Sequence, residues 1–137
     1  MSRLGIAVAT ALFAAGSLSA GEPAPLKDLM VKVIEPTSNA VFYIGREAPQ
    51  SDDEWKLLQG KALMLLESAN LMALPDRYQT IRAKNKTLWS QDLKLLLEAS
   101  QKAYAAANAK STSALEELND PLYTACTTCH EHFMLKR

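Results

Sequence analysis

The chain has 137 residues, with 15 basic and 15 acidic side chains, an even balance that lacks the basic excess nucleic-acid binding draws on. That length gives one domain with a modest core rather than two. Its two cysteines stand only three residues apart, and a disulfide closing so short a loop would hardly constrain the unfolded chain.

Residues 1–21 read as a secretory signal peptide. Arg3 gives the positive start, "LGIAVATALFAAG" the short apolar centre and "SLSAGE" the small residues of a cut after Ala20 or Gly21. No cysteine follows the cut to carry a lipid. The apolar run falls short of the about 20 residues of a membrane span, and nothing later reaches that length. The expectation is one exported, periplasmic domain over 22–137 with no stable membrane insertion.

After the leader only Gly45 and Gly60 interrupt a chain rich in Ala, Leu, Lys and Glu, which favours helix throughout. The first stretch, "LKDLMVKVIEPTSNAVFYIG", contains Val31, Val33, Val41 and Ile44, and "EPTSN" would serve as a hairpin turn. An isolated hairpin is marginal, however. Taken as a helix kinked at Pro36, the segment lines up Leu26, Met30, Val33, Thr37, Val41 and Ile44 on one face.

"SDDEWKLLQGKALMLLESANLMALP" is the clearest helix. Ser51 followed by Glu54 makes a capping box, Asp52 and Asp53 suit the positive end of the dipole, and Pro75 marks a stop. Its inward stripe is Trp55, Leu58, Ala62, Leu65, Ala69 and Met72. Beyond the polar link "PDRYQTIRAKNKT" a third helix carries Trp89, Leu93, Leu96, Ser100, Ala103 and Ala107, with Ser90 as its candidate cap. A fourth carries Leu115, Leu118, Leu122, Cys126, Cys129 and Phe133. "NDP" interrupts it, with Asn119 or Asp120 capping a restart and Pro121 in the first turn. Four helices joined by short links predict an all-α protein, an antiparallel four-helix bundle.

The fourth helix also carries the chemistry. Cys126-Thr127-Thr128-Cys129-His130 has the C-x-x-C-H spacing of covalent c-type haem attachment. Residues three and four apart on a helix face one way, so both thiols reach vinyl groups while His130 points its imidazole at the iron. One haem c, held near the C-terminus by two thioethers, is therefore expected. Two plainer readings compete. A thioredoxin-like disulfide wants a βαβ setting, and a zinc site of Cys126, Cys129, His130 and His132 would draw all four ligands from one short stretch, straining the helix. His132 is expected to face solvent. For the sixth iron position Met30 is the candidate, with Met64 and Met72 behind it; a thioether opposite an imidazole raises the reduction potential, whereas the plain role for each is a core methionine filling space.

Signal peptide, four amphipathic helices and a C-x-x-C-H motif near the C-terminus resemble the class II c-type cytochromes, the cytochrome c-prime family and its low-spin relatives. The likeness covers the domain in architecture, but in motif only "CTTCHEHF" and, more loosely, "LKDLMVKVIEPTSNAVF". Phe133 fills the aromatic place three residues after the histidine. Met134 stands where the family often has arginine, which leaves no haem-propionate contact from that position. Met30 matches the ligating methionine of the low-spin members. Leu26 stands one turn before it, where an arginine is common, with Lys27 beside it as a substitute. The resemblance implies a monohaem carrier of single electrons, not an enzyme, that docks transiently on redox partner proteins, with a homodimer through its helix faces as an option the family uses. Its alternative is a five-coordinate haem protein that binds nitric oxide or carbon monoxide; a haem-free thiol-disulfide oxidoreductase is the third reading.

Overall fold

The computed structural model describes residues 21–134, so the expected leader lies, apart from Gly21, outside the described residues. Every regular element among them is helical, the segment with hairpin features included.

The first rod runs as α1 (Leu26–Leu29), a π-helical turn (Met30–Ile34) and α2 (Glu35–Phe42). Pro36 explains the wide turn. It has no N–H to return to the preceding turn, and its ring crowds the carbonyl four residues back, which a wider turn relieves. The Glu35 N–H accordingly donates to the Met30 carbonyl, five residues behind it. This insertion moves the buried stripe: Leu29, Ile34, Thr37, Ser38, Val41 and Ile44 are buried. Leu26, Met30 and Val33, expected on that inward face, are only half-buried at the edge of the core. Two hydroxyls are buried with their bonds made, Thr37 donating to the Val33 carbonyl at 2.6 Å and Ser38 to that of Ile34 at 2.7 Å.

Helix α3 (Asp52–Ala73) follows the sequence reading closely. Ser51 Oγ accepts from the Glu54 N–H at 3.2 Å, though the Glu54 carboxylate accepts from Gln50 rather than from Ser51. Leu74, held extended before Pro75, ends the helix. Leu58, Ala62, Leu65, Ala69 and Met72 are buried as expected, with Trp55 packed at the edge. The link contains one further turn, α4 (Gln79–Arg82), entered through Tyr78 at φ 51°.

Helix α5 (Lys86–Asn108) starts five residues earlier than the Ser90 cap implies. Asn85 is the cap, its Oδ1 accepting from Leu88 at 3.0 Å, and Ser90 lies inside the helix, donating to the Lys86 carbonyl. All six residues of its expected stripe are buried, and so is Asp92. The helix closes through Lys110 at φ 51°, with Ser111 donating back to Ala106 and Lys110 to Ala107, a Schellman motif without glycine. Then come α6 (Thr112–Glu116), capped by Ser111, and α7 (Asn119–Phe133). Neither Asn119 nor Asp120 caps α7. Leu118 holds that position with no side-chain bond, and Asn119 Oδ1 is buried without a partner.

In space α3 lies between α2 and α5, α5 packs on α7, and α7 returns to α2. Small buried residues, Ala62 and Ala69 on α3 and Ala99, Ala103 and Ala107 on α5, let these two backbones approach closely. At one end of the core meet the close of α3, the start of α5 and the close of α7. There Trp89 Nε1 donates to the Met72 carbonyl at 3.3 Å and the Trp89 ring meets Phe133 edge to face at 5.3 Å. Among the described residues no helix is long and apolar enough to cross a membrane.

Candidate functional site at the end of the last helix

Leu118, Leu122 and Ala125 sink α7 into the core, and their spacing decides where the following residues fall. Cys126 and Cys129 come next along the same side and are half-buried, whereas His130 is exposed. Both cysteines are free thiols. Burial raises the pKa of each, because a poorly polarisable surrounding penalises the thiolate. Cys129 is pushed further, to about 11, by the nearby Asp92 carboxylate and by Cys126. Both side chains are therefore protonated at neutral pH. A dithiol kept in that state is a poor nucleophile, unlike the lowered thiols of disulfide oxidoreductases.

Beyond His130 the helix is fastened to α5. His132 Nδ1 is 2.9 Å from Asp92 Oδ2, and Asp92 is only 3% exposed. His132 is exposed, as expected, while its Nδ1 reaches the buried carboxylate. Phe133 stands edge-on to both Trp89 and His132. The Met134 N–H closes the helix on the His130 carbonyl at 3.0 Å.

Of the four donors that a zinc site would need, His132 is engaged with Asp92 on α5. Among the described residues no cluster of three or more His, Cys, Asp or Glu side chains is placed to hold a metal ion. For a haem the requirement is different: two thiols and one imidazole on a common helix side, next to apolar surface. By spacing, Cys126, Cys129 and His130 share one helix side; the two thiols are half-buried, with Cys126 and Phe133 bordering the core cluster, and His130 is exposed. The donor set fits that group.

The methionines divide. Met64 is 50% exposed on the outer side of α3, which removes it as an inward ligand, and Met72 is fully buried in the core beneath Trp89. Met30, at the first position of the π turn, is half-buried against the core, and no hydrogen bond among the described residues ties it to α7. Asp92 escaped the sequence reading although it stands three residues after Trp89, on the same side of α5. Its signal was there, an acidic residue on an apolar stripe.

Comparison with known protein families, with curated proteins and with solved structures finds no match.

Proposed function

We propose that the chain is a periplasmic monohaem c-type cytochrome that carries single electrons, built as an antiparallel four-helix bundle. The observation that carries this reading is the register of α7, which holds two free thiols half-buried at the edge of the core with the following imidazole, exposed, one turn on from the first of them. Cys126 and Cys129 would hold the haem, and His130 would be its proximal ligand. When bound, the haem supplies a one-electron couple whose potential answers to ligands and burial. The chain's own contribution is a rigid attachment. Leu118, Leu122 and Ala125 fix the rotation of α7, and Trp89 and Phe133 close the apolar end. Tyr123 and Met134, 63% and 61% exposed, offer apolar contact beside the motif for the small, short-lived interfaces of redox partners.

Met30 as distal ligand is part of this proposal. The π turn favours a second reading as well, because it turns Met30 off the centre of the inward stripe, as an open distal side for a small gas would require. Visible spectra of the periplasmically expressed protein decide between them. Covalent haem should give a Soret band that survives acidified-solvent extraction. With Met30 ligated, the ferrous protein ignores carbon monoxide until Met30→Ala opens the site. Immediate binding by the unaltered protein makes it a gas binder, and no haem band at all removes both readings.

A further inference from the structure

Asp92 is out of place if stability were its purpose. It occupies the inward side of α5 among Trp89, Leu93 and Leu96, and it is 3% exposed. A buried carboxylate seldom stabilises more than an apolar residue of equal volume, because taking it out of water costs about what its partner returns; fixing one register is the best-attested use of such a group. The partner of Asp92 is informative here. It is His132, two residues beyond the proposed iron ligand and on the same helical turn, with Nδ1 2.9 Å from Oδ2. Nothing else polar on α5 bonds to that turn among the described residues; its remaining support is the edge contact of Phe133 with Trp89, which tolerates rotation and sliding better than a hydrogen bond does.

We infer that Asp92 is a positioning residue for the haem-binding turn: through His132 it fixes the rotation of the last turn of α7, and with it the direction in which His130 presents its imidazole. This rests on the cytochrome reading. The bond, rather than the charge, does the positioning, since it is the hydrogen bond that has a direction.

Three substitutions test the inference. Asp92→Leu removes the bond, fills the space with apolar volume and leaves His132 free to hydrate, so the unfolding midpoint should stay near that of the unaltered protein or rise. Its ferric spectrum should nonetheless split into a mixture of ligation states, and backbone amides of the last turn of α7 should exchange hydrogen faster. Asp92→Asn keeps an acceptor oxygen in place and should restore both signals. Leu115→Ala, buried in α6, should lower the midpoint without changing the spectrum. A single wild-type spectrum with unchanged exchange in Asp92→Leu overturns the inference, and so does an Asp92→Asn variant as disturbed as Asp92→Leu. If the unaltered protein shows no covalent haem, the cytochrome reading falls and takes this role with it. That failure is recognised by the missing Soret band, not by any difference among the variants.

Discussion

Protonated thiols three residues apart, one of them beside a carboxylate, give the chain with unattached cysteines a distinct response to alkali. Burial, the Asp92 carboxylate and the neighbouring Cys126 lift Cys129 from an ordinary 9.0 to about 11. The folded chain therefore holds this proton more tightly than the unfolded chain does. The stability linked to it is present in full below 9.0 and is lost as the pH rises toward 11. Urea unfolding of the haem-free chain should show that decline, and Cys129→Ala should flatten it. Iodoacetamide should react slowly with the folded chain near pH 9.0, where an ordinary thiol is half ionised, and faster once urea is added. A folded-state rate equal to the unfolded one would mean that Cys129 is neither buried nor opposed by Asp92. If haem is attached as proposed, the sulfurs are spent as thioethers, so the same titration reports whether attachment has occurred.

Pro36 governs the first rod more than any hydrophobic residue in it does. With Ala at 36 the missing N–H returns and the crowding on the preceding turn disappears, so a regular helix becomes the lower-energy path. In that register Met30 moves inward while Leu29, buried now, turns out; Ile34 stays, since it already stands in regular register with Thr37, Ser38 and Val41. Pro36→Ala should thus protect the new amide at 36 from hydrogen exchange and exchange the burial of Leu29 for that of Met30, read from their methyl resonances. An unprotected amide with Leu29 still buried would show that core packing, not proline, sustains the π turn. This turn also explains what could be read without a structure. The stripes of α3 and α5 were legible because both helices keep 3.6 residues per turn from cap to end, so Leu58 to Met72 and Trp89 to Ala107 fall inward together. On the first rod one inserted residue breaks that count, and periodicity alone carries no mark of the break. Caps were harder. Asn85 and Ser90 are both good capping types, and choosing the one beside Trp89 placed the start of α5 inside the helix, since its first turn is polar and exposed. In α7 the C-x-x-C-H spacing was plain, whereas the Asp92–His132 bond joins residues 40 positions apart and only packing brings them together.

Stability and chemistry occupy opposite ends of the core. Away from the site, Lys110 reaches Asp52 at 2.6 Å, Gln59 donates to the Ala107 carbonyl at 3.2 Å, and Leu115 is fully buried. At the other end, Trp89 joins Met72 and Phe133, and Asp92, close to Cys129, joins His132; these residues make the wall of that end. The surface pairs Lys32–Asp28, Lys56–Asp53 and Lys94–Glu98 are well exposed and contribute little, so the fold depends on the apolar contacts running between the two ends. Substitutions at each end should then part company. Leu115→Ala opens a cavity in a sealed region and should cost about 2–5 kcal/mol, read from denaturant unfolding, while the visible spectrum of the loaded protein stays as it was. Phe133 is only half-buried, so Phe133→Ala removes less from the core and should cost less. It nevertheless strips the edge contact from Trp89 and His132 and should alter the Soret region and lower the yield of covalent haem. If Phe133→Ala proved the costlier change yet left the spectrum untouched, the closing turn of α7 would be a structural cap, and the wall beside Cys129 would have no part in holding the cofactor.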